Sequence, residues 1–187
     1  EINIDQERAA FRGKYNVDNV PIIGLFGQPL FDYKWYKSTI VLFVDALKKI
    51  DQPLMVVYKS HPKESEASIK WITNILMESS LEFFVINDEE ALKILTGTDV
   101  AVSIFSTIGF DLQNLLRRSK TAFSIPFYLF FDDNCREWFK EFCLLEEIPM
   151  SKYGAIVVNS KDNIANMSTA LGYYAEVKLK NNSTTEA

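Results

Sequence analysis

Ser106 and Thr107 stand in a run from Asp99 to Asp111 that reads DVAVSIFSTIGFD. Its first half is apolar and β-branched, as a buried strand requires, and its second half opens a helix. Hydroxyls at such a turn sit beside backbone N–H groups that lack an intrahelical partner, at the positive end of the helix dipole. That combination suits an anion, above all a phosphate. Ser106 or Thr107 also reads as a plain N-cap worth about 1 kcal/mol, and a capped helix still offers N–H groups to an anion. Asp111, one turn on, is placed to accept from ribose hydroxyls or simply to complement the dipole.

A second chemical cluster is Lys59-Ser60-His61-Pro62, which holds the only histidine of the chain. Strand alternation places Lys59 and His61 on one side and Ser60 opposite. Lysine and imidazole together would neutralise a diphosphate, or His61 would protonate a leaving phosphate. The plainer reading is a surface lysine beside a structural histidine. Gly27-Gln28-Pro29 closes an earlier apolar run. There glycine permits close backbone approach to a ligand and Gln28 supplies a hydrogen bond, or the three residues form a simple turn. Asn87 and Asp88 end another strand, where they would reach a base edge. Asp88 reads equally well as an N-cap.

Several function classes drop out. Neither G-x-G-x-x-G nor G-x-x-x-x-G-K-[ST] occurs, which argues against a standard dinucleotide fold and a P-loop. Cys135 and Cys143 make neither a zinc pattern nor a disulfide framework, so reduced structural thiols are expected, with no metal and no cofactor. Twenty basic residues against 25 acidic ones give a net charge of −5, which disfavours non-specific nucleic-acid binding. No apolar run reaches the roughly 18–20 residues of a membrane span, and the start has no signal-peptide core, so no transmembrane segment and a cytoplasmic location are expected. The sequons at Asn166, Asn181 and Asn182 then carry little weight. The chain opens on Glu1 rather than Met, which makes a longer parent the expectation.

These residues need a scaffold, and the hydrophobic pattern supplies one. The 187 residues suit a single domain. Residues 1–19 read as a helical lead-in and 178–187 as a flexible polar tail, with the domain at 20–177. Strands are expected at Val20–Phe26, Leu54–Tyr58, Leu81–Ile86, Val100–Phe105, Thr121–Ile125 and Ala155–Val158. Helical stripes fall between them: Tyr36, Ile40, Phe43, Leu47 and Ile50; Ile69, Ile72 and Leu76; a short helix capped by Asp88; Leu112, Leu115 and Leu116; residues 134–145; and Ile164, Met167, Leu171 and Tyr174 behind the cap candidate Ser160. The aromatic run FYLFF beside Asp132-Asp133 reads as a long loop, packed in the core or turned toward a base or another domain. The second to fourth strands are near-continuous apolar runs, as in a parallel sheet covered on both faces. The expectation is a doubly wound, Rossmann-like α/β domain of about six strands, with its ligand outside the carboxyl ends of the strands.

Across roughly residues 8–176 the chain resembles the C-terminal, donor-binding half of GT-B glycosyltransferases, especially bacterial enzymes that build capsule or lipopolysaccharide glycans. The likeness rests on Gly27-Gln28-Pro29, on Lys59 to Pro62 as an (R/K)-x-HP strand end, on the Asp99–Asp111 block, and on the late strand AIVVNS. The HP element is similar to that of bacterial sialyltransferases and related Kdo transferases. The resemblance implies that His61 contacts a nucleotide phosphate, that Ser106 and Thr107 bind phosphate, and that Asp111 stands where relatives carry a ribose-binding Glu. Lys59 replaces the commoner Arg. The implied substrate-binding set is Gly27, Gln28, Lys59, His61, Ser106, Thr107 and Asp111, and the implied ligand a CMP- or UDP-linked sugar. A catalytic residue is not assigned, because such enzymes carry an N-terminal acceptor domain that has no counterpart here. Two other readings are a half of an enzyme like UDP-N-acetylglucosamine 2-epimerase and a non-catalytic α/β binding module. A receiver-like module fits poorly, since Gly27-Gln28 stands where it needs an acidic pair.

Overall fold

The computed structural model describes residues 3–104, 106–119, 123–130, 134, 137, 156–159 and 164–183. The first helix, α1 (Ile4–Tyr15), starts on Asn3, whose side chain accepts from the Gln6 N–H, and carries Asp5 and Glu7 in its first turn. It stops where Asn16 turns left-handed at φ 55°, a conformation that asparagine tolerates. Then come β1 (Ile22–Phe26), α2 (Lys34–Leu47), β2 (Met55–Lys59), α3 (Glu66–Glu78), β3 (Glu82–Val85), α4 (Ala91–Gly97), β4 (Val100–Ser103), α5 (Ile108–Arg118), β5 (Ile125–Phe130), β6 (Ile156–Asn159) and α6 (Ile164–Ser183).

The strands among the described residues form one sheet in the order β3-β2-β1-β4-β5-β6, and every pairing is parallel. This is the doubly wound, Rossmann-like arrangement that the apolar runs require. Strand order reverses between β1 and β4. Helices cover both faces. Tyr36, Ile40 and Phe43 of α2, Ile72 and Leu76 of α3, and Met167 and Leu171 of α6 share a core with Val56 and Tyr58 of β2. Phe11 of α1, Ile94 and Leu95 of α4, and Leu112 and Leu115 of α5 share the opposite one with Met55 and Val57. Successive β2 residues thus alternate between two buried layers, which is why no polar stripe marks the strand.

Three expectations change. The fifth strand is not Thr121–Ile125 but Ile125–Phe130, so most of the aromatic run is a central strand rather than a loop. Pro126 makes the segment read as a loop, yet it costs little. The Ile125 N–H donates to the Asp99 carbonyl, so in a parallel ladder the next nitrogen faces β6, whose pairing begins only at Phe127. Secondly, α4 starts at Ala91 behind Glu90, not behind Asp88. Thirdly, α6 runs to Ser183, well into the expected polar tail, and Glu176 pairs with Lys180 one turn apart. The remaining strand ends move by one or two residues. Cys135, Cys143, Ser160 and most of the helix expected at 134–145 lie outside the described residues.

The expected lead-in helix is tied to the sheet. Asp99, fully buried, precedes β4 and accepts from Arg8, from Arg12 at 3.1 Å and from the Ile22 N–H at 2.7 Å. Arg8 also donates to the carbonyls of Thr96 and Thr98, and Arg12 to those of Gly97 and Val17. Both guanidinium groups are buried, so these bonds offset a large desolvation cost. Asp99 therefore anchors α1 at the amino ends of the strands, at the other end of β4 from Ser106 and Thr107.

Candidate functional site

Parallel strands all finish at one edge, and β1 lies between β2 and β4 there. The loop after β1 carries Gly27 and Gln28, the loop after β2 carries His61, and the turn after β4 carries Ser106 and Thr107. Strands two apart are about 10 Å from each other, so the β2 and β4 termini lie on either side of the Gly27-Gln28 loop. The expected site residues consequently share one edge, at the reversal of strand order.

Hydrogen bonds knit these loops together. The Gly27 N–H donates to the Lys59 carbonyl at 2.9 Å. Gln28 is buried and its Oε1 accepts from the Ile104 N–H at 3.1 Å. Its own backbone N–H donates to the Tyr36 hydroxyl at 3.3 Å. Gln28 thus joins the β1 loop to the β4 loop from within.

Around His61 the chain makes a four-residue turn with Pro62 at its second position, where a fixed φ is favourable. The Glu64 N–H donates to the His61 carbonyl at 2.9 Å, and the His61 N–H donates back to Glu64 Oε2 at 3.0 Å. The Lys63 N–H donates to His61 Nδ1 at 3.0 Å. Burial is the main influence on the imidazole and lowers its pKa; Glu64 opposes this and Lys63 adds to it. The second Glu64 oxygen accepts from Ser68 Oγ at 2.6 Å, and Ser65 caps α3 by accepting from the Ser68 N–H. A Cβ at Gly27 would stand 2.2 Å from Glu64 Oε2 and 3.1 Å from the Tyr58 ring. Burial, and next the Glu64 charge, push the phenols of Tyr36 and Tyr58 far above their ordinary range, so both stay protonated.

Lys59 and Ser60 do not follow the alternation expected of them. The strand ends at Lys59, and both side chains reach Asn87 after β3: Lys59 Nζ donates to its carbonyl at 2.8 Å and Ser60 Oγ to its Oδ1 at 2.7 Å. Asn87 ties the β2 and β3 ends together, while Asp88 is exposed.

At the β4 end, Ser106 Oγ accepts from the Ile108 N–H at 3.2 Å. Thr107 begins α5 without a side-chain cap bond and is exposed. The Tyr128 hydroxyl donates to the Ser106 carbonyl at 3.2 Å, and a Cβ at Gly109 would stand 2.0 Å from that hydroxyl. Gly109 thus serves the packing of Tyr128. Asp111 lies in the first helical turn, exposed, with its pKa raised by partial burial.

Glu64, Tyr128 and Asn87 hold this edge together, and two of them escaped the motif reading. Glu64 looks like one more acid in a polar turn. The glycine at 27 is its partner signal, but the two lie far apart in sequence. A separate cavity of about 410 Å³ opens at the amino-terminal end of β2 and β3, between Leu47, Leu54 and Glu82, away from these loops.

The class defined by this topology is the Rossmann-like, doubly wound α/β domain. Among solved structures, the chain is similar to Anabaena Alr3699/HepE in complex with UDP and glucose, with a TM-score of 0.56 and 11% identity over 96% of this chain and 47% of that one. It is also similar to the N-terminal domain of Candida albicans trehalose-6-phosphate phosphatase, with a TM-score of 0.56 and 13% identity over 98% of this chain and 40% of that one. The chain thus spans less than half the length of either. No protein-family model matches it. No curated protein matches it either. Among the described residues no helix is long and apolar enough to cross a membrane.

Proposed function

We propose that this chain is the nucleotide-sugar-binding half of a GT-B glycosyltransferase, acting with an acceptor-binding half that the sequence does not include. The observation that carries the reading is the shared edge. Lys59 and His61 on one side of β1, and Ser106, Thr107 and Asp111 on the other, flank the point where strand order reverses. In open α/β sheets that crevice is where ligands bind. A diphosphate there would meet the start of α5 and the His61 turn, and Asp111 would receive the ribose. The fold neighbour holding UDP and glucose covers nearly all of this chain and under half of its own. That likeness supports a nucleotide-sugar ligand, and its UDP is the reason a uridine donor is proposed here. The HP element, with His61 on the nucleotide phosphate, extends the proposal to surface polysaccharide synthesis.

Calorimetric titration with UDP, CMP, UDP-glucose and CMP-sialic acid tests the reading. Saturable binding of a uridine nucleotide is expected, weakened by His61→Ala and by Thr107→Val. No saturable binding of any of the four would overturn it.

A further inference from the structure

We propose that Glu64 is a positioning residue, which fixes His61 as a neutral Nε2–H hydrogen-bond donor toward a ligand phosphate oxygen rather than as an imidazolium counter-ion. The proposal rests on the nucleotide-binding reading above and assigns how that site recognises charge. Its basis is the tautomer. A backbone N–H can only donate, so the bond from Lys63 to His61 Nδ1 at 3.0 Å requires a lone pair on Nδ1. The ring proton of the neutral imidazole therefore sits on Nε2, which has no protein partner among the described residues. Protonating Nδ1 would set two N–H groups against each other and break that bond.

Glu64 builds the turn that makes this bond. Its backbone N–H takes the His61 carbonyl and one carboxylate oxygen takes the His61 N–H. The other oxygen holds Ser68 at the start of α3. The carboxylate is buried against β1, in space that exists only because residue 27 has no Cβ. Backbone and side chain of one residue thus clamp the histidine from both sides. The charged groups that act on the ring are Glu64 and Lys63, of opposite sign, while burial works against a cation. Lys59, two residues earlier, has its ammonium on the Asn87 carbonyl.

Because His61 is the only histidine, its ring nitrogens can be read directly by long-range proton–nitrogen NMR of the whole chain. At about pH 8 the expected spectrum is that of a single Nε2–H tautomer, with a titration midpoint below the ordinary value of about 6.5. An Nδ1–H tautomer, an even mixture, or a midpoint at or above that value would overturn the proposal, and this measurement needs no variant. Glu64→Ala is expected to mix the tautomers and weaken UDP-glucose binding about tenfold. Glu64→Gln, whose amide can accept from the His61 N–H and donate to Ser68, is expected to keep the tautomer and to lose less affinity than Glu64→Ala. Calorimetry with UDP-glucose, whose diphosphate diester does not titrate between about pH 6 and about pH 8, is expected to show no proton uptake on binding. Uptake approaching one proton per site would overturn the neutral-donor assignment. An intact tautomer with no saturable binding of UDP, CMP, UDP-glucose or CMP-sialic acid would overturn the nucleotide reading and the ligand half of this proposal, while supporting the Glu64–His61 geometry.

Discussion

Arg12 and Asp99 meet at 3.1 Å with both side chains buried, at the end of the sheet remote from the candidate site. Arg8 shares the same carboxylate, and burial lowers its pKa against the pull of Asp99. One acid thus balances two guanidinium groups that also donate to five backbone carbonyls, those of Thr96, Thr98, Gly97, Val17 and Val20. Removing that charge leaves two cations in a dry setting. Asp99→Asn is expected to destabilise the domain by about 3–5 kcal/mol, the usual penalty for breaking a buried pair from one side. Urea denaturation measures it. A loss under about 1 kcal/mol would mean that α1 is only loosely attached.

Gly109 and Tyr128 make a second, independent test. Gly109→Ala forces a Cβ into the space of the Tyr128 hydroxyl and should cost about 1–3 kcal/mol by overpacking. Tyr128→Phe removes the bond to the Ser106 carbonyl and should cost about 1 kcal/mol. Trimming the ring altogether relieves the clash, so the pair Gly109→Ala and Tyr128→Leu should be less harmful than the sum of the two single changes. Strict additivity in that double-mutant cycle would remove the proposed contact.

How far the sequence reaches is visible in these same residues. The parallel, two-faced sheet was legible because Val56, Val57 and Tyr58 cannot belong to a strand with a wet face. The shared edge was legible because a βα unit always puts its turn at the carboxyl end. The fifth strand was not, since Pro126 looks like a breaker until one knows that its nitrogen faces the side where pairing has not yet begun. Asp99 reads as the head of an anion-binding block, yet its carboxylate is spent on α1, a partnership between residues 91 positions apart. Gln28 and Gly27 look like ligand groups, whereas their contacts run inward to Ile104 and Glu64. Local spacing shows which strand end a residue occupies. It does not show which long-range partner the side chain takes.

The His61 imidazole also gives the stability a pH slope. Its folded pKa lies below the unfolded one, with burial the largest cause. The unfolded chain therefore binds the proton more readily, and stability rises with pH. The contribution is complete above about 6.5 and is lost as pH falls through the folded value. Denaturation midpoints of the protein and of His61→Gln should converge toward acid and separate toward neutral pH. The slope should stay well under the roughly 1.4 kcal/mol per pH unit of one full proton, since the ring is partly exposed. A difference curve that rises on acidification would reverse the sign and contradict the bond to Nδ1.

Asp111 offers the sharpest check on the orientation of a bound nucleotide. It stands exposed in the first turn of α5, one helical turn from Thr107. If phosphate lies at the start of that helix, the carboxylate accepts from the ribose, and hydrogen bonds to a charged group are worth about 1.5–3 kcal/mol. UDP should then bind about tenfold more tightly than its deoxyribose analogue, and Asp111→Ala should reduce that ratio to near one while leaving the deoxy analogue little affected. Burial raises the Asp111 pKa, so the preference for ribose should fade on acidification, beginning above the ordinary carboxylate value of about 3.9, as the acceptor is protonated. Equal loss of both ligands in Asp111→Ala would mean that the residue supports the helix start instead, and that the ribose lies elsewhere.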